Sequence, residues 1–168
     1  KIKISENQKK KINIRDVTFN YKNNKELFKN LNLNFSSGKV NVISGPSGSG
    51  KSSLFSLLLK ECEPLLGDIK INDIKLKKLS KYYWYKNLSF VSQSPFIFGT
   101  TILNNIKIGK LDASLSEVIF ASKQSGAYDY ISNLSNKFEF EVMDGGKNLS
   151  GGQCQLISLT RAILKDAP

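Results

Sequence analysis

Histidine is absent from this chain of 168 residues, and its absence excludes several kinds of enzyme chemistry. Histidine is the commonest general base near neutral pH and the commonest protein metal ligand. A Ser-His-Asp triad and a histidine-based metal centre are therefore excluded within this sequence. The two cysteines, Cys62 and Cys154, lie far apart without the spacing of a metal site. They indicate a reducing compartment rather than a fold held together by disulfides.

Long hydrophobic runs are absent as well. No apolar stretch approaches the roughly 18–20 residues of a membrane-spanning helix. The charged start of the chain, KIKISENQKKK, is not followed by the apolar core of a signal peptide. Hydrophobic residues still make up 40% of the chain, which is enough for a packed core and excludes a disordered protein. The length suits one domain or a piece of a larger one.

Arginine is scarce, because Arg15 and Arg161 are the two arginines among 25 basic residues. The net charge of +11 therefore comes mainly from lysine and is explained by a biased composition. A basic surface favours anionic partners such as nucleotides, acidic lipids or nucleic acid. Nucleic-acid-binding proteins usually cluster arginine with aromatic residues, and this sequence has no such cluster, so we expect no nucleic-acid partner. The aromatic stretch YYWYKN, at 82–87, predicts a buried or half-buried helix face.

The spacing of hydrophobic residues predicts strands mainly in the first half of the chain. Alternating patterns predict a strand at residues 11–21, which we expect at a sheet edge, and others at 30–40 and 67–76. The last of these contains a turn at Asn72-Asp73. Two short, mainly apolar segments predict further strands: Val40–Ser44 and Asn87–Gln93.

Helices are predicted mainly in the second half of the chain. The leucine-rich segment Ser53–Glu61 predicts one buried helix before that point. Ser114 is a candidate N-cap for one of the later helices. Three short helices are predicted after Pro95, at residues 100–109, 114–126 and 127–136. A last helix begins at Ser150, and we expect one of its faces to carry Leu156, Leu159, Ile163 and Leu164.

Residues 45–52, GPSGSGKS, fit the Walker A pattern GxxxxGK[ST] between a predicted strand and a predicted helix. Several N–H donors must converge on a phosphate, and glycine removes the side chains that would block its approach. The following helix directs its N-terminal N–H groups at the same anion. Lys51 adds a positive charge, Ser52 offers a hydroxyl to Mg²⁺, and Ser53 is placed to hold the α-phosphate. We predict binding of a nucleoside triphosphate and Mg²⁺, with further loop contacts from Gly45, Ser47, Gly48, Ser49 and Gly50.

A second motif, NLSGGQCQ at Asn148–Gln155, also places glycines at a predicted helix start, with Ser150 as the N-cap. Exposed N–H groups at such a start attract an anion. The chain therefore contains two phosphate-seeking helix N-termini about a hundred residues apart. Because one nucleotide has little use for both from the same subunit, the pair favours a dimer with shared sites.

The combination of GPSGSGKS with LSGGQ resembles the ATP-binding cassette (ABC) transporters, and the resemblance covers nearly the whole chain. VTFNY resembles the family's A-loop segment, and FVSQSPFIF resembles its Q-loop. TTILNNI and EVMDGGKNLSGGQ resemble stretches of exporter-type members, with Asp144 where an acidic residue is usual. TRAILKDAP resembles the segment that leads into the Walker B motif.

The resemblance implies an α/β fold, a P-loop NTPase core of the ABC ATPase type with an antiparallel β subdomain and an α-helical subdomain. The whole chain, 1–168, would be a partial nucleotide-binding domain whose C-terminal part is missing. The β subdomain and P-loop core would occupy 1–93, the helical subdomain 94–149, and the signature helix 150–168.

The resemblance also implies roles for individual residues. Tyr21 would stack on adenine, and Gln93 would reach Mg²⁺ and the attacking water. Lys51 and Ser52 would hold the phosphates and the metal ion, so that Lys51 and Gln93 are the catalytic candidates. The segment LSGGQ at Leu149–Gln153 resembles the family's signature motif. It would cap the γ-phosphate of ATP bound to a partner domain, through Ser150, Gly151, Gly152 and Gln153.

Two departures from the family stand at Cys154, where a basic residue is usual, and Leu156, where arginine is usual. The Walker B carboxylates and the H-loop histidine would lie beyond Pro168, in agreement with the absence of histidine. We therefore expect residues 1–168 alone to bind ATP weakly or not at all and not to hydrolyse it. The longer domain is expected to hydrolyse ATP.

The implied partners are the transmembrane domain of the same transporter, docked on residues 95–149, and a second nucleotide-binding domain. The implied location is the cytoplasmic side of a membrane. Three alternatives stay open: a soluble ABC-type ATPase acting on DNA or the ribosome, a regulatory cassette without turnover, and an importer subunit. The short interval between Gln93 and Leu149 favours a transporter over the soluble ATPases, which usually insert a coiled coil there or duplicate the domain.

Overall fold

The computed structural model describes residues 11–21 and 27–167, which fall into two compact units, Lys1–Tyr85 and Lys86–Pro168. The charged start of the chain, predicted not to be a signal peptide, lies outside the described residues except for Lys11. Each unit builds its own hydrophobic core.

An antiparallel sheet of four strands forms the first unit, in the order β2-β1-β3-β4. In the register of the sheet, Ile14 of β1 pairs with Leu33 of β2 and with Ile69 of β3. The prediction of an edge position for β1 is therefore wrong. Alternation of apolar and polar residues reports that one face is buried, and it does not report how many neighbours the strand has. The strands are β1 (Ile12–Phe19), β2 (Phe28–Phe35), β3 (Leu66–Ile71) and β4 (Ile74–Lys75).

Two turn residues fix the geometry of this sheet. Asn72, predicted in a turn, has a φ of 54° between β3 and β4, and its side chain accepts a hydrogen bond from the Lys11 backbone N–H at 2.8 Å. Gly67 has a φ of 82° beside an irregularity in β1. A Cβ at Gly67 would lie 2.4 Å from the carbonyl oxygens of Arg15 and Asp16, so only glycine fits there.

Helix α1 (Lys51–Leu58) confirms the predicted leucine-rich helix and buries Leu54 and Leu57. Helix α2 (Lys81–Lys86) carries the aromatic stretch, of which Trp84 is buried whereas Tyr82 is exposed. The indole N–H of Trp84 donates to the Leu58 carbonyl at 2.7 Å, so this side chain satisfies a carbonyl at the end of α1. A 3-10 helix at Leu76–Lys78 leads from β4 towards α2.

Two predicted strands, Val40–Ser44 and Asn87–Gln93, are not strands in the structure. Val40 and Val42 are 92% and 83% exposed. Among the described residues, neither segment pairs with a strand of the sheet. A short apolar run specifies a strand only where a partner strand is available to pair with it, which a local pattern does not reveal.

Four helices build most of the second unit: α3 (Ile102–Lys107), α4 (Leu115–Ser125), α5 (Tyr128–Ser132) and α6 (Gly151–Lys165). Two 3-10 helices at Lys137–Glu139 and Asp144–Gly146 complete it. They enclose a core of apolar side chains that includes Ile97, Ile102, Ile106, Val118, Ile131 and Ile157.

The predicted N-cap of α4 is confirmed. The Ser114 hydroxyl accepts from the Glu117 backbone N–H, while the Glu117 carboxylate accepts from the Ser114 N–H at 2.7 Å, which makes a capping box. Hydrogen bonds from Lys110 and then Ser114 to this carboxylate lower the pKa of Glu117 to about 2. Thr101 caps α3 with a single hydrogen bond, which its hydroxyl accepts from the Asn104 N–H at 3.1 Å.

The apolar residues expected on one face of α6 differ in how far they are buried. Ile157 is fully buried together with Thr160 and Leu164, whereas the predicted Leu159 is exposed. Residues 157, 160 and 164 follow helical spacing, and Leu159 lies about 200° around the helix from Ile157. Leu156 and Ile163 flank the buried stripe and are partly covered.

Candidate functional site

The Walker A loop of the first unit ends in Gly50, which is the N-cap of α1 with a left-handed φ of 91°. A Cβ at Gly50 would lie 2.6 Å from the ring of Phe28, the first residue of β2. Glycine is therefore required both by the backbone conformation and by the close approach of the aromatic ring. The sheet thus fixes the point at which the loop becomes a helix.

The N-terminus of α1 differs from those of α3, α4 and α6. Within the described residues, no side chain caps this end, and the first turn contains no acidic residue. In contrast, α3, α4 and α6 are capped by Thr101, Ser114 and Ser150. The first N–H groups of α1 therefore keep their donor capacity in a positive field, which is the condition for binding an anion.

Lys51 lies at the start of α1 and turns its ammonium group back over the loop. Its Nζ donates hydrogen bonds to the carbonyl oxygens of Gly45 and Pro46, both at 2.8 Å. These two contacts hold the ammonium charge beside the loop, where it would bind phosphate together with the loop amides. A lysine ammonium has three donors and rotates freely, so it can exchange a carbonyl for a phosphate oxygen.

Tyr21, the predicted adenine-stacking residue, is brought to the Walker A helix although it is 32 positions away from Ser53 in the sequence. Its hydroxyl contacts the Ser53 hydroxyl at 3.1 Å. Its ring packs edge-on against Phe19, with the ring centroids 5.0 Å apart, and the side chain is 43% exposed. The structure thus places an accessible aromatic ring beside the helix that follows the glycine loop.

The rest of the loop is open. A Cβ at Gly48 would meet no atom within 4 Å among the described residues, and the Ser52 side chain is exposed. Ser47 and Ser49 are exposed as well, while Ser53 is buried. Residues 11–21 and 27–167 contain no cluster of three or more His, Cys, Asp or Glu residues that could hold a metal ion. A hydroxyl such as that of Ser52 together with phosphate oxygens fits Mg²⁺, which keeps several ligands from substrate or water.

The N-terminus of α6, in the second unit, carries the signature motif. The Ser150 hydroxyl accepts from the Gln153 N–H at 3.2 Å, and the Gln153 side chain accepts from the Ser150 N–H at 2.8 Å. Ser150 and Gln153 therefore serve each other as a capping box. Gly151 and Gly152 are exposed, and no backbone or side chain crowds the space where their Cβ atoms would be. Their N–H groups are two backbone donors of this motif that can bind an external anion.

Gln93 also lies in the second unit, where its side chain is exposed. Its backbone carbonyl accepts a hydrogen bond from the Gln155 side chain of α6 at 3.2 Å. One open groove of about 700 Å³ is lined by Gln93 together with Gly152, Gln155 and Leu159. The structure therefore brings Gln93 and the signature helix together.

Sequence patterns do not predict the role of Arg161 and Asn105. The guanidinium group of Arg161 donates to the Asn105 backbone carbonyl at 2.6 Å, to the Asn105 side-chain oxygen at 2.5 Å and to the Phe96 carbonyl at 2.6 Å. Desolvation by burial lowers the pKa of Arg161. One feature of the sequence could have pointed to Arg161. It is one of two arginines in a lysine-rich chain, and it lies on a predicted helix with an apolar face.

Comparisons with known proteins identify the family of this chain. The profile of a family described as ABC transporter matches residues 28–168. An uncharacterized ABC transporter ATP-binding protein of Sinorhizobium fredii is 39% identical over 156 residues, which are 93% of this chain and 27% of that protein. ABC transporter B family member 22 of Arabidopsis thaliana is 40% identical over 164 residues, or 96% of this chain and 13% of that protein.

A solved structure gives the same result. The chain superposes on a bacterial Atm1-family ABC exporter with ATP bound, with a TM-score of 0.92 and 31% identity over 95% of this chain. It spans 28% of that exporter chain and about a quarter or less of the relatives named above. Within the part of the chain that the structure describes, no helix is both long and apolar enough to cross a membrane.

Proposed function

Because the chain belongs to the ABC transporter family and has the fold of its ATP-binding domains, we propose that it binds MgATP at residues 45–53 and, in the full-length protein, hydrolyses ATP to power export across a membrane. The observation that carries this proposal is the start of α1. An uncapped helix N-terminus, an open glycine loop, Lys51 and an accessible Tyr21 ring lie together there.

Each of these groups has one task in the proposed site. The amides of residues 47–52 and the Lys51 ammonium bind the phosphates, and the Tyr21 ring stacks on the adenine. Ser53 contacts the α-phosphate. When bound, Mg²⁺ neutralises charge on the β- and γ-phosphates, with Ser52 and Gln93 as its protein ligands. Gln93 also orients the attacking water, so the chain contributes mainly positioning and electrostatic stabilisation to hydrolysis.

A second nucleotide-binding domain completes the site in this proposal. Gly151 and Gly152 offer unblocked N–H groups at the N-terminus of α6, and Ser150 can still donate its hydroxyl hydrogen while it caps the helix. We propose that these groups and Gln153 bind the γ-phosphate of ATP held by the partner domain. Loss of that phosphate then opens the dimer, because the ligand had stabilised the closed state.

The helical unit provides the proposed contact with a membrane-spanning domain of the same transporter. Exposed apolar side chains occur there at Phe96, Ile108, Phe120 and Met143. Contiguous apolar patches on a surface mark sites that a partner covers, and these side chains are the candidates for such a patch. Residues 95–149 are the proposed docking region, and the ATP-binding domain would lie at the cytoplasmic face of the membrane. The proposal also divides the chain into a β subdomain with the P-loop core at 1–93, a helical subdomain at 94–149 and the signature helix at 150–168.

Replacement of Lys51 by alanine in the full-length protein tests the proposed site. We expect affinity for a fluorescent ATP analogue with Mg²⁺ to fall about 10- to 100-fold, because charge-assisted hydrogen bonds contribute about 1.5–3 kcal/mol. Lys39→Ala removes an exposed lysine of the same unit and is the matched control. Thermal unfolding verifies that both variants fold. Affinity that is equal in the two variants would show that the loop does not bind the phosphates.

A further inference from the structure

Arg161 joins three parts of the second unit through one planar group. Its Nε and one Nη bind the backbone and side-chain oxygens of Asn105 in α3, and its other Nη binds the Phe96 carbonyl. All three acceptors are oxygens of neutral groups. The fork of an arginine holds such acceptors in a fixed relative geometry, which the flexible ammonium of lysine does not.

Asn105 extends this contact into the loop that precedes α3. The side chain is 0% exposed. Its oxygen accepts from the Phe98 N–H at 3.0 Å, and its amide nitrogen donates to the carbonyls of Phe98 and Thr101, both at 3.0 Å. The amide thus pairs with both backbone groups of Phe98 and with the Thr101 carbonyl, on either side of a bend at residues 99–100. Because the amide is buried, each of these bonds is costly to lose.

Two more hydrogen bonds tie the same stretch of chain to α6. The Gln155 side chain donates to the Gln93 carbonyl at 3.2 Å, and the Ser89 hydroxyl donates to the Ala162 carbonyl at 3.2 Å. Residues 89–101 are therefore attached to α6 at several points along the helix. The same helix begins at the signature glycines, 10 residues before Arg161 in the case of Gly151.

We propose that Arg161 and Asn105 are positioning residues for Gln93, which clamp the segment after it to the signature helix. The inference rests on the proposed function, in which Gln93 acts on the ATP bound to its own chain and α6 contacts the ATP bound to the partner domain. A displacement of α6 by the partner's nucleotide is then passed directly to Gln93. The clamp makes no contact with ATP and acts on hydrolysis through Gln93.

The test compares ATP binding with ATP turnover in the full-length protein. Arg161→Lys keeps the charge but loses the fork, and Gln155→Ala removes the bond to Gln93 from an exposed side chain whose loss leaves the core intact. We expect kcat to fall about 3- to 30-fold in each variant, the range of typical coupling energies, while the Kd for MgATP stays within about twofold. Arg161→Ala should lower kcat further than Arg161→Lys.

Two controls separate positioning from stability. Ser125→Ala removes a buried hydrogen bond of 2.7 Å between the Ser125 and Thr160 hydroxyls, so it weakens the packing of α4 on α6 without touching the clamp. Arg15→Lys repeats the arginine change on an exposed strand position. Both should keep kcat, even where the melting temperature of Ser125→Ala falls as far as that of Arg161→Lys.

The outcomes are distinct. A wild-type protein that neither binds nor hydrolyses ATP would overturn the proposed function and the clamp with it. An active wild type with unchanged kcat in Gln155→Ala and Arg161→Lys would overturn the clamp alone. The clamp would also be overturned if Ser125→Ala and Arg161→Lys both lost kcat in proportion to their loss of stability. In that case stability, and not the position of Gln93, would explain the loss of activity. If Arg161→Lys does not fold, the kcat and Kd of Gln155→Ala decide the matter.

Discussion

In the proposed nucleotide site, the contact between Tyr21 and Ser53 sets the position of the aromatic ring. The hydroxyl group of Tyr21 reaches the Ser53 hydroxyl, which lies on the buried side of α1, while much of the ring stays accessible. Ring and hydroxyl therefore have separate tasks in the proposed site. The ring supplies a stacking surface for a base, and the hydroxyl fixes the ring relative to the loop.

Two substitutions at Tyr21 separate these tasks. Tyr21→Phe keeps the ring, and we expect the Kd for MgATP to change by no more than about twofold. Tyr21→Ala removes the ring and should weaken binding by about 1–3 kcal/mol, the usual worth of base–aromatic stacking. Equilibrium titration with a fluorescent ATP analogue measures both. An equal loss in the two variants would mean that the hydroxyl, and not the ring, carries the interaction.

At the scale of secondary-structure elements, the contrast between α1 and α6 explains their proposed use. The α6 terminus is closed by the Ser150–Gln153 capping box, which leaves the amides of two exposed glycines. The α1 terminus begins at Gly50 without a side-chain cap, so its anion-binding capacity is larger. The shape of α1's start depends on the contact between Gly50 and Phe28.

Replacement of Gly50 by alanine tests this contact. The new Cβ would meet the Phe28 ring at 2.6 Å in addition to the strain of a φ of 91°, so we expect a loss of about 2–4 kcal/mol in the free energy of unfolding and loss of ATP binding. Gly38→Ala is the matched control, because Gly38 has a φ of 69° and no atom within 4 Å of its Cβ position among the described residues.

The control should lose only about 1–2 kcal/mol, the usual cost of a left-handed conformation for alanine, and should keep ATP binding. Urea unfolding of the ATP-binding domain within the full-length protein measures both losses. Equal destabilisation by the two substitutions would show that Phe28 yields to the new methyl group and that the contact does not shape the loop.

Local patterns predicted the elements whose hydrophobic spacing or N-cap is visible in a short stretch of sequence. Alternation found β1, β2 and β3, and the candidate N-cap Ser114 marked the start of α4. The same patterns failed where pairing partners decide the outcome. They placed β1 at an edge and predicted a strand at Val40–Ser44, because neither the number nor the presence of neighbouring strands is encoded in a short window.

At the scale of the whole molecule, sequence motifs predicted the family, and the match over residues 28–168 confirms it. The glycine loop and the signature motif predict their own chemistry from composition, since each exposes amides at a helix start. The Arg161–Asn105 clamp could not be predicted in this way. Its members are 56 positions apart, and their relation depends on how α3 and α6 pack together.

The two units of the chain each present one helix terminus that we propose binds phosphate, α1 in the first and α6 in the second. The central claim is that these two termini bind one triphosphate, with α1 from one copy and α6 from a partner domain. This arrangement makes ATP the link between two domains, and it gives a reason for the glycines at both termini.

The most direct test is the structure of the full-length protein with a non-hydrolysable ATP analogue and Mg²⁺. We predict that the phosphates contact Lys51 and the loop amides of one domain, and that the γ-phosphate also accepts hydrogen bonds from the Ser150–Gly152 region of the other domain. A loop at residues 45–52 that binds no phosphate, or a dimer whose Ser150 region faces away from the nucleotide, would contradict the account.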